Sequence, residues 1–168
     1  DAREGTDDRA RVPHRHQREA KREGGPGDAL TRCAIADGEG LCYNLDETLS
    51  GNTFDAHRLL LWAETIGKQD QLLEVMYSAY FEKSLPLFSH EDLIQVCAAA
   101  GINEGDVRAI LQSDDFSPQV LEDRALATQL GATGVPFFVI DMKYGISGAQ
   151  PLEAFTQTLN TAWQESHA

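Results

Sequence analysis

Hydrophobic positions along the chain fall into two rhythms. From Asn52 onward they recur at helical spacing. Phe54, Ala56, Leu59, Leu60, Leu61 and Trp62 make one such set, closed by Gly67. Leu72, Leu73, Val75, Met76, Ala79 and Tyr80 make a second. Apolar residues three and four apart share one face of a helix, so each set predicts a helix with one buried side. Asn52 or Thr53 supplies an oxygen for the first backbone N–H, and Asp55 sits favourably in the first turn. Ser89-His90-Glu91-Asp92 opens a third helix, with Leu93, Ile94, Val96 and Cys97 as its core residues and Gly101 as its stop. Asn103-Glu104-Gly105-Asp106 opens a fourth, carrying Val107, Ile110 and Leu111. Ser117-Pro118 opens a fifth, with proline at a first-turn position, running through Val120, Leu121, Leu126 and Leu130. The pattern predicts an all-helical block over 53–130.

The rhythm then changes. Val135-Pro136-Phe137-Phe138-Val139-Ile140-Asp141 is a short β-branched and aromatic run, the mark of a buried strand. Asp141-Met142-Lys143 can turn, and Tyr144–Gly148 can return antiparallel. Pro151 opens a last helix with Leu152, Phe155, Leu159, Ala162 and Trp163 on one face. Residues 131–168 therefore read strand, turn, strand, helix. Residues 29–52 read as an irregular linker, in which Leu41–Tyr43 is the one candidate strand.

Charge redraws the first residues. Of the first 28, seven are Lys or Arg and seven are Asp or Glu. Among these 28 the apolar residues other than Gly and Pro are Ala2, Ala10, Val12 and Ala20. So little apolar surface does not offset the entropy of ordering, and 1–28 reads as a disordered charged head. The remainder carries the entire net charge of -13. That charge argues against nucleic acid and against an anionic membrane as partners. No signal peptide is seen, which points to the cytoplasm.

Three cysteines, Cys33, Cys42 and Cys97, are too few and too scattered for a disulfide scaffold. Cys97 falls in an apolar helix pattern and reads as a small buried hydrophobe. Cys33 and Cys42 read as free loop thiols, although their spacing permits a loop disulfide. None has a metal-ligand companion at suitable spacing. Trp62, Trp163, Phe137 and Phe138 read as core residues, and His90 as a solvated first-turn residue.

The most informative string is Thr133-Gly134-Val135-Pro136-Phe137-Phe138. Proline at a strand mouth removes one ladder donor where none is needed. Gly134 permits an unusual turn just before it. Were the Val135–Pro136 bond cis, the Val135 backbone N–H and C=O would face outward, free to pair with an extended substrate. An ordinary trans proline in a loop is the alternative.

The string Gly134–Asp141, continued by Lys143–Pro151, resembles the DsbA-like thiol–disulfide oxidoreductases of the FrnE type. So does Gly51-Asn52-Thr53-Phe54-Asp55-Ala56-His57-Arg58-Leu59. The resemblance covers about Glu39 to Trp163. It implies an α/β thioredoxin-like fold with a helical insertion, present as its helical block plus the C-terminal β-hairpin and helix. It also implies a cis proline at Pro136 and a substrate groove formed by Gly134, Val135 and Pro136. In the related glutathione-dependent branch a similar Asn-Thr-x-x-Ala-His-Arg string lies near the active site, so Asn52, Thr53 and His57 would border that groove. A capped helix with His57 in a helix–helix contact is the alternative. The substrates implied are protein or small-molecule thiols and disulfides. No cofactor is implied beyond glutathione as a possible thiol substrate.

This chain departs from the family in one respect. Family members carry a Cys-x-x-Cys at a helix N-terminus, where the dipole favours the attacking thiolate. The 168 residues hold none. The expectation is that the segment bearing it is truncated, or that residues 1 to about 36 come from a shifted reading frame, and that the chain has no redox turnover. A glutathione-dependent isomerase or transferase, or a non-catalytic thiol- or peptide-binding module, are the other classes. Without a first strand, Phe137–Ile140 would be an open apolar edge inviting self-association.

Overall fold

The computed structural model describes residues 21–22, 26–45 and 48–167. Most of the charged head, residues 1–20, lies outside the described residues. Two short pieces come first. Strand β1 (Lys21–Arg22) pairs antiparallel with β2 (Leu49–Ser50), Lys21 opposite Ser50. Between them lies helix α1 (Pro26–Gly38). The linker expected over 29–52 is therefore helical as far as Gly38. The reason is local: Pro26 stands at the helix start, and Ala29, Leu30, Ala34 and Ala36 are strong helix formers. Among its described side chains α1 buries only Ala36. Leu41–Tyr43 is not a strand.

The helical block comprises α2 (Phe54–Thr65), α3 (Gln69–Tyr77), a π-helical turn (Ser78–Glu82), α4 (His90–Ala99), α5 (Glu104–Gln112) and α6 (Ser117–Gln129). Two of its caps form as the sequence reads. Ser89 Oγ accepts from Asp92 N–H at 3.2 Å. Asn103 Oδ1 accepts from Gly105 and Asp106 N–H at 2.8 and 3.3 Å. Neighbouring helices pack α2 on α3, α3 on α4 and α4 on α5, and α2 also meets α5 and α6. The core lies between them. Leu59, Leu72, Leu93, Val107 and Cys97 are fully enclosed, with Ala63, Met76, Ile94, Val96 and Leu111 around them. Helix α6 contributes no buried residue. Its Leu121 and Leu126 are exposed.

The remaining elements are β3 (Phe137–Ile140), β4 (Tyr144–Ser147) and α7 (Leu152–Ser166). Strands β3 and β4 form an antiparallel hairpin in the register Phe137↔Ser147 to Ile140↔Tyr144. Its turn closes with Lys143 N–H on the Ile140 carbonyl at 3.1 Å. Asp141 and Met142 both take φ +54°, a conformation unfavourable for methionine. Helix α7 packs on the hairpin, with Phe155 edge-on to Phe138 at 4.9 Å. Ile146 and Ala162 are the buried hydrophobics of this unit. Trp163, expected in the core, is 65% exposed and touches the His167 ring at 3.9 Å. Phe138 is also exposed. Both side chains lack a second layer to bury them among the described residues. Strand β3 has β4 on one side and no strand on the other among the described residues.

Candidate functional site

Helix α6 ends at Gln129, and Gly131, at φ +88°, turns the chain toward β3. That residue, not Gly134, supplies the unusual backbone conformation. The φ of Gly134 is not positive, and a Cβ there would meet nothing within 4 Å. The Val135–Pro136 peptide bond is cis. The Pro136 carbonyl accepts Gly148 N–H at 2.8 Å, which ties the loop to the far strand of the hairpin. Val135 is 96% exposed. Among the described residues no group bonds its backbone N–H or C=O. The loop therefore presents an apolar side chain and a free donor and acceptor together, which an extended chain can pair with.

The second group of sequence-derived residues begins α2. Asn52 Oδ1 accepts Phe54 N–H at 3.1 Å, so Asn52 serves the helix start. Thr53 occupies the cap position without a side-chain bond, and its carbonyl accepts His57 N–H at 3.1 Å. The His57 side chain is exposed and is not in a helix–helix contact that buries it. Just before this corner, a Cβ on Gly51 would run into the Phe88 ring, so only glycine fits. No hydrogen bond or ion pair among the described residues joins this group to Gly134, Val135 and Pro136.

The sequence reading missed the polar centre between α2 and the α5–α6 junction. Arg58 is 4% exposed. Its Nη2 donates to the Ile110 and Ser113 carbonyls, each at 2.6 Å. Nε donates to the Asp115 carbonyl at 2.8 Å, and Nη1 to Asp55 Oδ1 at 2.8 Å. The guanidinium thereby satisfies carbonyls at the C-terminal end of α5, where a cation is favoured. Asp55 also meets His90 Nε2 at 3.1 Å, so His90 is paired rather than merely solvated. The Asp55/Arg58 spacing on one helix was a readable signal. The partners more than thirty residues away were not.

Of the thiols, Cys97 is buried and its pKa is pushed up to about 12 by desolvation. Such a thiol is inert as a nucleophile at neutral pH. Among the described residues no cluster of His, Cys, Asp and Glu could hold a metal ion. No described helix is long and apolar enough to cross a membrane.

Comparison with known proteins resolves what this geometry is. Residues 28–160 match the DSBA-like thioredoxin domain. The chain belongs to that family. A crystal structure of a probable DsbA oxidoreductase from Streptomyces coelicolor is 41% identical, with a TM-score of 0.71. The similarity covers 83% of this chain and 60% of that one, so the DSBA-like chain spans only part of its neighbour's length. The mostly helical architecture with a β-hairpin and final helix is that of a DsbA-like thioredoxin fold. No curated protein matches.

Proposed function

We propose that this domain serves thiol–disulfide chemistry of the DsbA kind, and that Val135–Pro136 is where its thiol or disulfide substrate lies. The observation carrying the reading is the unpaired Val135 backbone at the mouth of β3, in a domain of this family. An extended substrate would accept from Val135 N–H and donate to its carbonyl, bringing its sulfur alongside. The attacking thiolate of a DsbA-type exchange comes from a Cys-x-x-Cys, and these 168 residues contain none. The function proposed for the chain itself is therefore substrate binding without redox turnover. Asn52, Thr53 and His57 would border the bound substrate.

The test combines turnover and binding on the same protein. Reduction of insulin disulfides by the purified chain is expected at the uncatalysed rate. Binding of an extended cystine-containing peptide is expected, with a several-fold loss in Pro136→Ala. Appreciable reduction that survives replacement of Cys33 and Cys42 by serine refutes the inactive reading. Peptide binding indifferent to Pro136→Ala refutes the site.

A further inference from the structure

Two cysteines stand apart from the site just described. Cys33 is half-buried on α1, and Cys42 is exposed in the segment that follows. Both are free thiols. The chain doubles back between them. Helix α1 ends at Gly38, Gly40 takes φ +75°, and Leu41 N–H returns to the Ala36 carbonyl at 2.9 Å. The following residues pass beside α1, so that the Cys33 thiol reaches the Tyr43 carbonyl at 3.5 Å. That carbonyl belongs to the residue immediately after Cys42.

This returning segment is fastened to the helical block. The Tyr43 ring stacks on Phe81 at 4.8 Å. Asn44 N–H donates to the Phe81 carbonyl at 2.6 Å, and Ser84 Oγ donates to the Asn44 carbonyl at 2.7 Å. Among the described side chains of helix α1 only Ala36 is buried. Residues 41–45 are neither helix nor strand, so Cys42 can turn toward α1 without breaking a ladder. A disulfide needs its two Cα atoms within roughly 7 Å, a distance that adjustment of such a segment can supply.

The geometry points to Cys33 and Cys42 as a dithiol that closes to an intramolecular disulfide by exchange with a small-molecule disulfide. One protein thiolate attacks a sulfur of the external disulfide and expels the first small thiolate, leaving a mixed disulfide on the protein. The other protein thiolate then attacks the protein-side sulfur and expels the second. The two protein thiols together lose two protons and two electrons. The external disulfide gains them and leaves as two thiols. The new bond staples α1 to the segment held by Phe81. Cys97, enclosed in the core, takes no part and serves as an internal reference.

The experiment treats the full chain with excess glutathione disulfide, quenches it with acid and measures intact mass, free thiols and peptide map. The expected result is the loss of two thiols with no glutathione retained, and a peptide linking Cys33 to Cys42. Hydrogen exchange across α1 is expected to slow in the oxidised chain. Cys42→Ser, an exposed substitution, is expected to end with one glutathione held on Cys33 and no change in α1 exchange. Glutathione persisting on both cysteines overturns the proposal, as does glutathione on Cys42 beside an unreacted Cys33. Disulfide-linked dimers overturn it equally. None of these readouts involves Pro136, so failure here is separable from failure of the substrate-binding reading.

Discussion

Replacing Arg58 by methionine tests the packing of the helical block most directly. Methionine keeps most of the aliphatic stem and removes the guanidinium. The Ser113 and Asp115 backbone carbonyls then lose their donor, the Ile110 carbonyl keeps the Ser113 N–H and Oγ, and Asp55 loses its Arg58 ion partner. Hydrogen bonds to a charged group contribute about 1.5–3 kcal/mol each, but four such values do not add, because water reaches some of the released acceptors. Asp55 is 29% exposed and keeps His90 nearby, so its share is small. The carbonyls at the end of α5 bear most of the loss. Removing one partner from a buried pair costs about 3–5 kcal/mol, and the lower end of that range applies here. Arg58→Lys keeps the charge but not the fork, and is expected to cost about half as much. Urea unfolding followed by far-ultraviolet circular dichroism measures both. A stability loss of about 3 kcal/mol for methionine is a large part of what a domain of this size has. An Arg58→Met chain within about 0.5 kcal/mol of the parent would show that Arg58 is a passenger and refute the reasoning.

Two further outcomes follow from the hairpin unit. Met142 at φ +54° carries a left-handed penalty of about 1–2 kcal/mol that glycine avoids, partly offset by glycine's freer unfolded chain. Met142→Gly is expected to raise the thermal midpoint by a few degrees, and a lower midpoint would contradict the turn geometry. Glu165 has a carboxyl pKa lowered from 4.5 by its hydrogen bond from Tyr144 and then by Lys143, so its contribution is present above that value and fades as pH falls below it. Tyr144 has a phenol pKa raised from 10.0 by the hydrogen bond to Glu165, so its contribution is present below that value and fades as pH rises above it. NMR titration of the two side chains checks both directions, and Glu165→Gln should lower the Tyr144 value, leaving the smaller upward effects of desolvation and Asp141.

The helical block was legible because its signals are local and repeated. Ser89 and Asn103 cap as their sequences imply, and the Leu93/Val96/Cys97 and Val107/Leu111 spacings are the faces that meet in the core. Helix α1 was not read from the sequence although Leu30, Cys33 and Ala34 fall at helical spacing, because they directly follow the Gly24-Gly25-Pro26-Gly27 breaker and the charged head. The Val135–Pro136 dipeptide alone reads as an ordinary trans proline; the family resemblance is what singled out a cis bond there, and the bond is cis. The loop's supposed glycine hinge could not be placed, because Gly131 and Gly134 look alike in sequence and only φ separates them. Arg58 was hidden for a different reason. Its acceptors are main-chain carbonyls, and any residue type supplies a carbonyl.

Amphipathic spacing says that an element has an apolar face, not that anything covers it. The elements after Ser117 show the difference. Leu121, Leu126, Val139, Leu152, Leu159 and Trp163 sit at sensible helix and strand positions, yet all are exposed. The hairpin and α7 enclose only Ile146 and Ala162. Hydrophobic stabilisation scales with area removed from water, so this unit is held far more weakly than the block of α2 to α5. Among the described residues the hairpin is a single layer of sheet with a helix on one face only, which leaves both these side chains and the Val135–Pro136 loop open. A substrate chain pairing with Val135 would add hydrogen bonds where the fold supplies fewest. It should therefore stabilise the hairpin in proportion to its affinity, while leaving the helical block unchanged.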